Sequence, residues 1–211
     1  MNIKEHWERI YATKSATEVS WFQREPTLSL GLIRRVALDQ GSAIFDVGGG
    51  ASTLVDLLVG LGYRNVTVLD LASSALVCAR TRLKERAGLA SWVCADVLSH
   101  PFSASSIDVW HDRAVFHFLT APDDRRQYVA QVERAVRPGG AVIVATFAPD
   151  GPTRCSGLEV ARFGANELHA EFGSRFELVD SCREHHTTPT GAIQVFQYCL
   201  CRLRTATVAA G

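Results

Sequence analysis

Between residues 42 and 147 the chain alternates short apolar runs with amphipathic stretches, and this alternation limits the folds open to it. The runs at 42–47 (SAIFDV), 65–69, 90–95, 107–111 and 141–147 have the length of strands. Helical patterns fall between them at 52–61, 73–87 and 123–136; in the second, Leu76, Ala79 and Leu83 recur among charged residues at helical spacing. The run 141–147 (AVIVATF) is apolar throughout, which implies burial on both faces, as at the centre of a parallel sheet covered by helices. Beyond it come a helix near 165–172 and two more strands near 176–183 and 192–203. Parallel neighbours need a crossover of about a dozen residues or more, and segment 184–191 is too short for one, so this last pair is expected to be antiparallel. The predicted fold is α/β and Rossmann-like: a seven-stranded, mostly parallel sheet with one antiparallel strand near the C-terminus and helices on both faces.

A chain of 211 residues is expected to form a single domain, 1–204. It divides into an aromatic-rich segment (1–40), a core (41–147), a loop and C-terminal hairpin (148–204) and an Ala/Thr-rich tail (205–211) expected to fray. Its 22 basic and 22 acidic side chains cancel, leaving no general attraction to nucleic-acid phosphates or acidic membranes. No apolar run approaches the ~18–20 residues of a membrane span, and the N-terminus lacks the apolar core of a signal peptide. The expectation is a cytoplasmic protein. Its six cysteines (78, 94, 155, 182, 199 and 201) form no C-x-x-C pair and read as reduced thiols. Cys199-x-Cys201, near His185 and His186, reads as two small apolar side chains on one strand face, so no metal is expected. The run Arg80, Arg82, Lys84 and Arg86 reads as a solvated helix face.

In open α/β sheets ligands bind beyond the carboxyl ends of the strands. The first strand ends in Asp46, followed by Gly48, Gly49 and Gly50, a turn that lets backbone approach a ligand closely and then opens a helix N-terminus suited to an anion. The second ends in Asp70, 20 residues beyond Gly50, the usual place for an acid that accepts from ribose hydroxyls. The third ends at Asp96, placed to accept from an exocyclic amine. Each acid alone also has a structural reading: Asp46 bonding the glycine loop, Asp70 capping the helix at Ser73, Asp96 starting a turn. Three at consecutive strand ends suggest one nucleoside ligand. A dinucleotide fingerprint wants a small third residue where this chain has Thr53. A ligand with a zwitterionic amino-acid end is therefore favoured, its ammonium met by Asp46 directly or through water; S-adenosylmethionine combines amino acid, ribose and adenine. The alternatives are an NAD(P)-dependent oxidoreductase and a non-catalytic nucleotide-binding protein on the same fold.

The motifs DVGGGAS (46–52), VTVLD (66–70), CADV (94–97) and RPGGAVIV (137–144) resemble, in order and spacing, those of class I S-adenosylmethionine-dependent methyltransferases. One departure is Ala51-Ser52, where many members carry a third glycine. HWERIY (6–11) and VSWF (19–22) resemble the N-terminal cap of small protein-lysine and thiopurine methyltransferases. The resemblance implies that Trp7, Tyr11 and Trp21 help enclose the cofactor and that Gly48 and Gly50 pass close to its methionine part. It further implies that Leu71 packs on the adenine, that the Val97 N–H reaches a ring nitrogen, and that Trp110 to Arg113, with His111 among them, run beneath the sulfonium.

The implied reaction is in-line methyl transfer from S-adenosylmethionine, with S-adenosylhomocysteine as product. His111, Asp112 and His117 are the nearest candidates for a general base, although Asp112 and Arg113 pairing with each other and His117 packing is the plainer reading. The acceptor is expected to be a small molecule in preference to a protein. Loops 148–162 and 184–191 are expected to select it, with Cys155 as a plain loop thiol or a pocket residue and Arg154 and Arg162 as solvated cations or anion ligands.

Overall fold

The computed structural model describes residues 2–205, so the predicted tail lies outside the described residues except for Thr205. Helices α1 (Ile3–Thr13) and α2 (Thr27–Val36) precede strand β1 (Ile44–Val47). Then come α3 (Leu54–Gly60), β2 (Val66–Asp70), α4 (Ser73–Leu83), β3 (Ala90–Cys94), β4 (Ile107–Arg113), α5 (Pro122–Ala135) and β5 (Val136–Phe147). A small hairpin, β6 (Arg154–Cys155) and β7 (Leu158–Glu159), leads to α6 (Ala165–Phe172) and the long strands β8 (Phe176–Thr187) and β9 (Ile193–Leu203). No helix among the described residues is long and apolar enough to cross a membrane.

The seven long strands form one sheet in the order β3-β2-β1-β4-β5-β9-β8. Pairing is parallel from β3 to β5, and β9 runs antiparallel to both β5 and β8, as the short 184–191 connection requires. Strand order reverses between β1 and β4, which opens a crevice beyond their carboxyl ends.

Two apolar layers hold the sheet. Ile44, Val66, Val68, Val109, Ala141, Ile143 and Ala145 face α2, α3 and α4 through Leu32, Ile33, Leu54, Leu58, Leu76, Ala79 and Leu83. Alternate strand residues (Phe45, Val47, Trp110, Val142 and Val144) face Tyr128 and Val132 of α5 and Leu168 and Phe172 of α6. β5 contributes to both layers, which explains its uninterrupted apolar run. Cys199 and Cys201 are buried together in the second layer.

Three local differences from the sequence reading have physical causes. α3 starts at Leu54, after a tight turn in which the Ser52 N–H donates to the Gly49 carbonyl (2.7 Å). α4 stops at Leu83 because Lys84 takes a positive φ of 55°, and a 3-10 turn spans 84–89. Arg137-Pro-Gly-Gly does more than close α5. The β4–β5 ladder starts at Ile107–Val136 and resumes at Val109–Ala141, so residues 137–140 bulge out, with Arg137 ion-paired to Asp108.

Candidate active site

Asp46, Asp70 and Asp96 do gather at one sheet edge, because β1, β2 and β3 are consecutive neighbours. Their surroundings differ. Asp70 is buried and lines a cavity of about 500 Å³. Its Oδ1 accepts from the Ala72 N–H at 2.8 Å, so it organises the turn into α4 and does not cap Ser73. Burial, opposed in part by that hydrogen bond and helped by the nearby charges of Asp46 and Glu8, pushes its carboxyl up to about 7. Asp96 is exposed at the same cavity and accepts from the Leu98 N–H at 2.9 Å. Leu71 and Val97 also line it.

Asp46 belongs to a smaller recess beside the glycine loop, shared with Ser29, Gly48, Gly49 and His111. Tyr11, Trp21, Val47, Gly48 and Arg113 line both spaces and mark where they meet. Gly48 (φ 65°) and Gly50 (φ 36°) both occupy the left-handed region. A Cβ on Gly48 would lie 2.0 Å from Val115 Cγ2, and one on Gly50 2.5 Å from Asp70 Oδ2, so neither position has room for a side chain. Arg82, read from sequence as solvated, braces this loop instead: it donates to the carbonyls of Ala51 (2.9 Å) and Ser52 (2.6 Å) and pairs with Asp56. Thr53, the misfit in the dinucleotide pattern, donates its hydroxyl to the Gln23 carbonyl at 2.9 Å and so ties the loop to the N-terminal segment.

That segment forms a wall of the cavity. Trp7 stands edge-on to Trp21 (5.8 Å) and Phe118 (5.1 Å), and Tyr11 lies 6.3 Å from Trp21. What locks α1 in place is Glu8, which the sequence reading missed. Its carboxylate accepts from the Ser73 N–H (2.7 Å), the Ser73 hydroxyl (2.9 Å) and the Ser74 N–H (3.1 Å), capping α4 from another helix. The bonds from Ser74 and Ser73 outweigh the effect of burial and hold this carboxyl down at about 2.

Of the three general-base candidates, His111 lines the smaller recess, while Asp112 and His117 line neither space. Asp112 is fully buried and outside both spaces; it accepts from the N–H groups of Val115 (2.8 Å) and Phe116 (3.0 Å) and from the Tyr128 hydroxyl (2.6 Å). It does not pair with Arg113, whose guanidinium bonds Glu184 (3.0 Å) and Tyr198 (3.0 Å) and lies 4.1 Å from the centre of the Phe196 ring. His117 is fully buried against Phe118 and Phe147, neither ring nitrogen has a hydrogen-bond partner, and burial, with the Arg113 charge, pushes it down to about 3. Its ring is weakly basic and lies outside both spaces, which favours the packing role. His111 is buried, with Nδ1 2.7 Å from Asp46 Oδ1 and Nε2 2.9 Å from Ser29 Oγ.

The rest of the cavity is lined by Val115, Phe118 and Leu119 after β4, by Thr120 and Asp124, and by Cys155, Leu158 and Glu159 of the β6–β7 hairpin. Cys155 is a pocket residue, and burial pushes its thiol up to about 11. Arg154 lies 3.9 Å from Glu159, and Arg162 donates to the carbonyls of Pro149 and Gly151, so both cations have partners within the chain. His186 Nε2 donates to the Ser20 carbonyl (2.7 Å), and among the described residues no three His, Cys, Asp or Glu side chains cluster to hold a metal.

A glycine loop at a topological switch point, with acids on successive strand ends, is the layout of a Rossmann-like domain. A family described as a methyltransferase domain matches residues 45–144. The chain is 33% identical over 111 residues to a ubiquinone/menaquinone biosynthesis C-methyltransferase of Roseobacter denitrificans, a match covering 51% of this chain and 43% of that protein. It is 23% identical over 196 residues to the human EEF1A lysine methyltransferase 2, covering 85% of this chain and 76% of that one. The fold matches that of the N-methyltransferase NodS from Bradyrhizobium japonicum, solved with S-adenosylhomocysteine, with a TM-score of 0.73 at 16% identity over 97% of this chain and all of NodS. The match to the methyltransferase-domain family thus runs from strand β1 into strand β5. The chain spans less than half the length of the Roseobacter relative.

Proposed function

We propose that this chain binds S-adenosylmethionine across the two spaces and transfers its methyl group to an acceptor in the larger one. The observation that carries the reading is the match between polar groups and cofactor. The unpaired, buried Oδ2 of Asp46 suits the ammonium, the inner carboxylate of Asp70 the ribose, and Asp96 with the Val97 N–H the adenine, against which Leu71 packs. Gly48 borders both spaces and offers its backbone to the methionine part, and Trp7, Tyr11 and Trp21 exclude water from above; Gly50 lines neither space, and its missing side chain makes room for Asp70. When bound, the cofactor supplies an electrophilic methyl group on a sulfonium with a good neutral leaving group. The chain's own contribution is then positioning and desolvation, which can lower a barrier by several kcal/mol (~7–11 at the upper end). Within this reading, residues 1–40 act as the cap, 41–147 as the cofactor core and 148–204 as the acceptor-facing part of one domain. A cavity walled by aromatic and aliphatic side chains favours a small-molecule acceptor; the relatives' names include both a quinone-pathway C-methyltransferase and a protein-lysine methyltransferase.

Calorimetric titration with S-adenosylhomocysteine and with NADH tests the reading. Saturable binding of the former and none of the latter is expected; binding of neither, or of NADH alone, overturns it. D70A removes charge-assisted hydrogen bonds to the ribose worth about 2–3 kcal/mol, roughly a hundredfold in Kd. Unchanged affinity in D70A would refute the ribose role.

The raised Asp70 carboxyl adds a pH signature. Ribose hydroxyls donate to the ionised form, so binding expels a proton when the free protein holds one. S-adenosylhomocysteine affinity is therefore expected to rise with pH up to about 7 and level off above it, changing by up to about tenfold per pH unit below that value. For the unliganded fold the sign is opposite: stabilisation by protonated Asp70 is complete below its ordinary value of 3.8 and lost as pH rises through about 7. Titrations between pH 5 and 8 with wild type and D70N check this; D70N should be flat, and a flat wild-type profile refutes it.

A further inference from the structure

Asp46 and His111 are direct partners in the parallel β1–β4 register, so their side chains leave the same face of adjacent strands and meet at 2.7 Å. Asp46 Oδ1 is consumed by this contact, while Oδ2 has no hydrogen-bond partner and stands against Gly49, where a Cβ would lie 2.3 Å away. A carboxylate can only accept, so Nδ1 carries the hydrogen of this bond. In the neutral ring Nε2 is then an acceptor, and the Ser29 hydroxyl 2.9 Å away is its donor. Ser29 Oγ has Tyr198 Oη at 3.3 Å, and Tyr198 in turn accepts from Arg113 Nε at 3.0 Å. The chain of bonds thus runs from the glycine loop to the cation shared by both spaces, and among the described residues His111 is its link to Asp46.

We propose that His111 is a positioning residue: it fixes the Asp46 carboxylate so that Oδ2 stays unpaired and turned to the amino-acid end of the cofactor. This rests on the cofactor reading above. His111 contributes no proton transfer to the acceptor; it acts through Asp46, and Ser29 acts through His111 by holding the tautomer. The imidazole also lines the recess and is buried with Asp46, so its loss frees Asp46 to rotate or take on water.

The test compares two ligands of the same adenosyl group. S-adenosylhomocysteine carries the amino-acid end; 5′-methylthioadenosine lacks it and uses only the Asp70 and Asp96 side of the site. H111L is expected to weaken S-adenosylhomocysteine binding at least tenfold and methylthioadenosine binding less than twofold. H111N, whose amide N–H stands where Nδ1–H stood, should recover most of the loss, and S29A should give an intermediate effect on the first ligand alone. Should H111L fail to fold, the contrast of the two ligands in H111N and S29A decides. Equal losses for both ligands in these variants, or no loss for either, overturn the proposal. Wild-type protein that binds neither ligand overturns the cofactor reading itself.

Discussion

G48A is expected to destabilise the protein by about 2–4 kcal/mol and to abolish measurable cofactor binding. Two independent costs add. Gly48 has a φ of 65°, and an L-residue in the left-handed region costs about 1–2 kcal/mol. The new methyl would also stand 2.0 Å from Val115 Cγ2, and relieving such an overlap in a packed site costs about 1–3 kcal/mol. For a chain of this size each kcal/mol moves the melting temperature by about 2–4 °C. Val115 is fixed from below, its N–H bonded to Asp112, so the overlap resolves mostly by displacing the glycine loop. The double variant G48A/V115A separates the terms: it should regain the packing part and keep the backbone part. Urea unfolding and S-adenosylhomocysteine titration read both; G48A with the wild-type midpoint and affinity would refute the account.

The glycine turn, the acids at the strand ends and the alternation of strands with helices were legible because each is a local signal. A strand ends, the chain turns, and the residue at the turn is seen beside its neighbours in sequence. The same logic made the antiparallel β8–β9 pair readable from the length of one connection. What escaped was contact across distance. Glu8 meets Ser73 across 65 positions and Arg113 meets Glu184 across 71, and no periodicity marks one carboxylate as the partner. Arg82 shows the limit of a helical face argument: the run of cations reads as solvated, whereas Asp56 and two loop carbonyls hold this one. Asp112 and Arg113 are adjacent in sequence and opposite in fate, because successive residues of a strand point to opposite faces. Asp112 enters the layer beneath α5, whereas Arg113 turns toward the cavities and the β8–β9 hairpin.

That alternation fixes the second large effect. D112A is expected to cost about 3–4 kcal/mol of stability while leaving the cofactor affinity of the folded protein within about threefold of wild type. Removing the carboxylate strands three donors, the Val115 and Phe116 N–H groups and the Tyr128 hydroxyl, and Phe116 and Tyr128 are fully buried. Each such loss runs to about 1–3 kcal/mol and the three are not additive, since they share one acceptor group. D112N keeps the shape and one acceptor and should lose less, about 1–2 kcal/mol. A pH series adds a sign. Burial raises the Asp112 carboxyl from 3.8 to about 6, its hydrogen bonds notwithstanding. Its protonated form therefore stabilises the fold fully below 3.8, and that advantage is lost as pH rises through about 6. D112N cannot titrate there, so the stability difference between wild type and D112N should narrow from pH 4 to pH 7. Thermal melts across that range, with S-adenosylhomocysteine titrations well below each melting temperature, check both halves. A D112N protein of wild-type stability that has lost methyl transfer would instead restore Asp112 as a participant in the chemistry.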